Sequence, residues 1–154
     1  MSDTSVWVAG ENGALFHWDG AAWTQFGSPL RPDLNDLWVS ADDQVWAVGD
    51  LGTIVHLENG RFVSYARPGI TENLFAIDGV AGADFWVSGG SSLIARYQSG
   101  AWTDLVSSPT PATYWNLSVT HPARTVLVGE QMQWWDASTL NNVPRPLAVT
   151  LRGL

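Results

Sequence analysis

"VWAVGDLGTIVHLENG", residues 45–60, holds two short apolar runs separated by a glycine-bracketed turn and closed by a second turn. Relatives of this stretch recur along the chain as "VWVAGENGALFHWDG" from Val6, "FWVSGGSSLIARYQSG" from Phe85 and a worn "TVLVGEQMQWWDAS" from Thr125. The glycines ending the first run are Gly10, Gly49, Gly89 and Gly129, spaced 39, 40 and 40 residues apart. Trp7, Trp46 and Trp86 share one register, which Val126 takes in the fourth unit. Leu15, Ile54, Ile94 and Trp134 align next, followed by Trp23, Phe62 and Trp102. A period of this length marks a repeat architecture, in which one supersecondary unit buries its apolar face against copies of itself.

Each unit also has a beginning, seen in "LNDLWVS" from Leu34, "LFAIDGV" from Leu74 and "YWNLSVT" from Tyr114. A full unit therefore holds four β-type runs, which in the second unit cover 34–40, 45–49, 53–57 and 61–66. Between them lie "ADDQ", "DLG" and "ENG", whose glycine, asparagine and aspartate favour tight turns because they tolerate positive φ or bond nearby backbone. No segment sustains apolar residues at i, i+3, i+4 and i+7, so helices are not expected. The second run of each unit is apolar at successive positions, as in a strand covered on both faces by stacked sheets. The expected fold is all-β: a β-propeller of four-stranded antiparallel blades, four repeats per chain, in one domain over 1–154. The units run approximately 5–33, 34–73, 74–113 and 114–150.

The repeat resembles a broad set of bacterial propeller repeats of the form "vWavGdgGtIlhydGssWt". Residues 45–63 match that form closely, 6–24 and 85–103 match it well, and 125–149 match it poorly. The resemblance implies architecture and no particular activity. The Gly-His and Trp-Asp marks of WD40 blades are absent, as is a repeated Ser-x-Asp-x-Gly-x-x-Trp box of the sialidase type.

Residues 5–26 read as strands two to four of a blade lacking its first strand, while "LRGL", residues 151–154, restarts the first-strand motif of Leu34 and Leu37. A C-terminal strand completing the N-terminal blade would protect an edge that otherwise invites pairing. Closure within one chain gives a four-bladed ring. Closure between chains gives an eight-bladed ring shared by a homodimer, the preferred alternative because four blades splay strongly and identical halves favour closed symmetry.

Composition narrows the partners. The formal net charge is −8, and all seven positive residues are scattered arginines with no lysine. Nucleic acid is not an expected partner, because such binding needs clustered positive charge. An acidic surface suits solubility and basic partners. There is no cysteine, so neither disulfides nor thiolate metal sites contribute. The start "MSDTSVWVAG" lacks a secretory signal, and no run approaches the roughly 18 apolar residues that span a bilayer, so a soluble, cytoplasmic chain with no membrane partner is expected.

Ten tryptophans in 154 residues exceed what a small core ordinarily uses. Trp7, Trp46, Trp86, Trp23 and Trp102 recur in register and are expected to pack between blades. Trp18, Trp38, Trp115, Trp134 and Trp135 break the repeat, and nonrepeating aromatics are the better candidates for stacking on a ligand such as a sugar ring. Ligand-binding candidates among them are Trp18, Trp38, Trp115 and Trp135. Glu11, Asp50 and Glu130 hold equivalent places in the turns after strand two, with Gly90 interrupting the series. A ring of carboxylates there would hold a cation or sugar hydroxyls; as soluble turn formers they need no ligand at all, and that simpler reading weighs more.

His17 and His56 share a strand-three register in which Arg96 and Asp136 stand in the other units, which argues for a partly exposed polar position. With His121 in "THPART" they match no metal spacing, and no metal or cofactor is expected. Asp42 and Asp43 are adjacent turn residues that point apart, whereas a glycosidase needs two converging carboxyls. The sequon at Asn116 lies in an expected inner strand. The leading functional reading is a non-enzymatic binding or assembly module recognising carbohydrate or protein. The alternatives are a glycoside hydrolase using turn carboxylates, and a propeller fragment whose main property is self-assembly.

Overall fold

The computed structural model describes residues 5–41, 43–65, 67–81, 84–105, 111–121 and 124–143. The closing strand expected at 151–154, and Asp42 of the turn acid pair, lie outside the described residues.

Fifteen strands form four antiparallel meanders among those residues. The first blade has three, β1 (Val6–Ala9), β2 (Leu15–Trp18) and β3 (Trp23–Phe26). The second is β4 (Leu34–Val39), β5 (Val45–Gly49), β6 (Ile54–Glu58) and β7 (Arg61–Ser64). The third is β8 (Leu74–Ala81), β9 (Asp84–Gly89), β10 (Ile94–Gln98) and β11 (Ala101–Asp104). The fourth is β12 (Tyr114–His121), β13 (Arg124–Gly129), β14 (Met132–Trp135) and β15 (Leu140–Asn142). Each sheet runs in sequence order, and the first strands β4, β8 and β12 neighbour one another across blades. They therefore lie innermost, and the blades fan outward from them.

Stacking explains the two-sided apolar second strand. One face of β5 puts Val45 and Ala47 against the first blade, with Trp7, Ala9, Leu15 and Phe26. The other puts Trp46 and Val48 against Phe85, Val87 and Ala95 of the third blade. Trp86 and Ile94 repeat the arrangement against Leu117 and Leu127 of the fourth. Trp46 and Trp86 are 2% and 0% exposed, which on area grounds is worth several kcal/mol each as an upper bound.

The repeated glycine has a steric reason. The backbone at Gly49 is extended (φ −168°), so no unusual dihedral demands it. A Cβ there would collide with the Asp33 carbonyl oxygen, where the link enters the same blade's first strand. The same collision meets Gly89 from Asn73 and Gly129 from Thr113. At Gly10 nothing lies within 4 Å, and among the described residues no first strand pairs with β1.

Three expectations are corrected. Trp23 is not packed between blades but 54% exposed, because no described blade covers the outer face of the first one. His56 is buried, stacked on Trp46 at 3.9 Å between rings. Trp134 does not follow Leu15, Ile54 and Ile94: it pairs with Val126, in the register of His17, His56 and Arg96, while Met132 opposite Val128 takes the former position. The turn before β14 is two residues shorter than its counterparts, which slides the fourth unit's sequence relative to its structure.

Candidate functional site

One face of the array is formed by the turns after strand two together with the links between blades. In the first two blades this turn is a single 3-10 turn, Glu11–Gly13 and Asp50–Gly52. Each turn is braced by the next blade's link. The Asn12 amide donates to the Asp33 carboxylate at 2.8 Å, the Leu51 amide to Asn73 Oδ1 at 3.1 Å, and Ser92 exchanges two bonds with Ala112. The blade's own link adds Asp50 N–H to Asp33 O, Gly90 N–H to Asn73 O and Glu130 N–H to Thr113 O. Repeated backbone bonding of this kind makes the face a rigid platform.

On that platform the candidate carboxylates serve their own blades. Asp50 Oδ1 accepts from Asn35 Nδ2 at 2.8 Å, and the same amide donates to Leu74 O. Glu130 Oε2 accepts from the Thr113 amide at 3.0 Å. Glu11 is exposed at the start of its turn. No hydrogen bond given for the described residues brings two of the three together, and no group of three or more potential metal ligands is found among those residues.

The candidate tryptophans are dispersed. Trp38, on innermost β4, leans over Gly79 of β8, where an added Cβ would lie 2.7 Å from its Cη2. Trp135 packs into the junction of the third and fourth blades. Trp18 tilts against Trp23 at 5.6 Å on the first blade. Trp115 is half-buried on β12. Trp38 and Trp135 are thus blade-packing residues, and Trp18 belongs to the uncovered end.

Between the second and third blades the platform opens into a cleft of about 410 Å3. Ile70, Leu93 and Leu105 give it an apolar floor, and Arg67, Asp104 and Glu72 give it charge. Arg67 makes a two-pronged pair with Asp104, whose Oδ2 lies 2.7 Å from Nη2, and its guanidinium sits 5.6 Å from the Trp102 ring centre. That guanidinium holds the Asp104 carboxyl below the usual aspartate range. One residue before Gly52 stands Leu51, 71% exposed and with φ at +56°. Its neighbour Gly52 donates to Glu72 O at 2.8 Å and abuts Ile70, which ties the turn to the cleft. Left-handed backbone costs a residue with a Cβ roughly 1–2 kcal/mol, and leucine, unlike Asn12 and Ser91 in the matching turns, cannot bond locally to recover it.

Two further acids lie on innermost strands. Asp36 accepts from the Leu37 amide and, across the junction, from Ile77 N–H at 2.9 Å. Asp78 accepts from Gly79 and from Val119 N–H of the fourth blade at 2.7 Å. They fasten neighbouring blades at the axis. The sequence gives no sign of this, since each bond spans 41 residues.

The sheets, their order and their stacking define a β-propeller. No protein-family model matches the chain, and no curated protein does. Among solved structures it is similar to YCF48 from Cyanidioschyzon merolae, at 11% identity and a TM-score of 0.66, with 92% of this chain aligned to 53% of that one. It is also similar to a structure described as YCF48 bound to D1 peptide, at 18% identity and a TM-score of 0.67, covering 90% and 50% of the two chains. The chain thus spans about half the length of these propellers.

Proposed function

We propose that this chain is a non-enzymatic recognition module whose ligand is a protein segment, seated in the cleft between the second and third blades. The observation that carries the reading is Leu51. An exposed leucine held in a costly backbone conformation, in a turn whose next residue, Gly52, abuts Ile70 of the apolar-floored cleft, offers an apolar contact to a docking segment. The net charge of −8 favours a partner segment carrying basic residues beside that apolar anchor. A similar fold recorded with a bound peptide supports the same class of ligand. Carbohydrate is the second choice, because Trp38 and Trp135, which would stack on a sugar, are occupied between blades. A hydrolase would need turn carboxylates that converge, and Asp50 and Glu130 are each bonded within their own blade.

Leu51→Gly is the decisive variant. Glycine removes the apolar contact and relieves the left-handed strain, so the variant should be more stable by about 1 kcal/mol while losing affinity at least about tenfold for basic, leucine-containing peptides screened by fluorescence anisotropy. Equal peptide binding by wild type and Leu51→Gly would end this reading. A glycan array run beside it would move the assignment to carbohydrate if a sugar binds and no peptide does.

A further inference from the structure

Among the described residues the outer face of the first blade and part of that of the fourth are exposed and complementary, although Val128, on the same face as Val126, is 1% exposed. On the first blade's outer face Val6, Val8 and Trp23 are 47%, 43% and 54% exposed. By strand register these match Val45, Ala47 and Phe62 of the second blade, which the first blade covers to 2%, 0% and 4%. They are the receiving half of a blade junction. On the fourth blade's outer face Trp134 is 41% exposed and stands opposite Val126. Val126 holds the position from which Trp46 and Trp86 reach into the following blade, and Trp134 presents the same indole from the adjoining strand. That is the inserting half. Each end also has a shallow cleft beside its tryptophan, formed by Val8, Phe16 and Trp23 at one and by Val126, Trp134 and Trp135 with Arg124 at the other.

Gly10 is an independent sign. Its counterparts are glycine because a first strand's entering carbonyl touches them, yet at Gly10 that space is open and, among the described residues, β1 pairs only with β2. Among the described residues the strands of the first and fourth blades share none of the extensive contacts that join the first strands of the other neighbours. From these features we infer that a second copy of the chain closes the ring, seating its fourth blade on the first blade of its partner, twice, about a two-fold axis along the propeller centre.

The size of the contact is adequate. With strands about 4.8 Å apart and about 3.3 Å per residue, the four strands of the fourth blade present a face on the order of 300 Å2 and the three shorter strands of the first about 200 Å2. Two junctions with one face of each kind bury on the order of 1,000 Å2, about the least that a specific interface needs. Both junctions are the same head-to-tail contact, so closure at two copies leaves no face over, whereas failure to close would give an open filament. This inference concerns the ends of the array and stands apart from the cleft, so peptide binding and ring closure fail or succeed separately.

Light scattering coupled to size-exclusion chromatography, over a roughly hundredfold range of concentration, tests it. The expected mass is twice 16.7 kDa, about 33 kDa. Val8→Asp and Trp134→Asp each alter one exposed side chain and should give a folded 16.7 kDa monomer with unchanged β-sheet circular dichroism. Mixing the two variants restores one intact junction, so a heterodimer should form that neither makes alone. Dissociation by Val8→Asp with no effect of Trp134→Asp would overturn the head-to-tail arrangement. A wild-type monomer throughout, an open filament, or a dimer indifferent to both variants would overturn the inference itself.

Discussion

The second blade and the first carry nearly the same sequence and live in different surroundings. Around Trp46 every residue of β5 is buried, whereas β1 alternates between exposed and half-buried. Trp46 and Trp7 both stack on a histidine across the strand pair, at 3.9 and 4.3 Å, so the internal construction of the two blades is alike. What differs is the neighbour. The repeat encodes a pair of faces, and burial follows only where a second blade arrives to meet them.

The largest contrast expected from this comparison is between Trp46→Ala and Trp23→Ala. Truncating the buried indole should cost about 3–5 kcal/mol, and truncating the exposed one within about 1 kcal/mol, read from urea midpoints of dilute protein. Equal costs would mean that the first blade is covered after all. A smaller contrast separates two equivalent glycines. Gly49→Ala forces the Asp33 link aside and should cost about 1–3 kcal/mol, while Gly10→Ala meets open space and should stay within about 0.5 kcal/mol in the same dilute assay.

The smallest effect concerns Asp36, which joins the second blade to the third where the first junction has Trp7 and Phe62 in edge contact. Burial holds the Asp36 carboxyl above its usual value, opposed by the two amides it accepts from, with the Asp78 charge adding to the rise. The folded state therefore keeps this proton at a pH where the unfolded chain has lost it. Its contribution favours folding on the acid side and is lost as pH rises through the folded-state value. Asp36→Asn should accordingly show a stability curve that falls less, or rises more, just above the ordinary aspartate range. An unchanged slope would show that the carboxyl titrates normally.

Much of this organisation was legible before any coordinates. Strands of the second unit fall within one or two residues of their expected limits, because alternating runs and glycine turns are local signals. The fourth unit was misaligned in its third strand because a turn two residues shorter leaves no mark other than the strand it displaces. Leu51 could not be singled out, because its positive φ is set by the shape of the turn and not by its residue type. The Asp36 and Asp78 bridges were invisible for the same reason, since a carboxylate in "LNDL" or "AIDG" looks like any polar residue until the next blade's amide is beside it. The turn closing the last blade is legible in hindsight. Asp136 accepts from the Ser138 and Thr139 amides, replacing the Asn-Gly pair used earlier, and those bonds hold its carboxyl far below the usual range.

The contact between each blade's glycine and the carbonyl entering that blade also bears on how such chains diverge. The approach of the entering link to the blade's second strand is set there by main chain against main chain, so it is indifferent to the identity of nearly every side chain. A mutation elsewhere in a blade alters how firmly neighbours adhere, but leaves this close approach within the blade where it was. One small residue in forty is then the inheritance that matters most, and drift in the rest can proceed far before the architecture is lost.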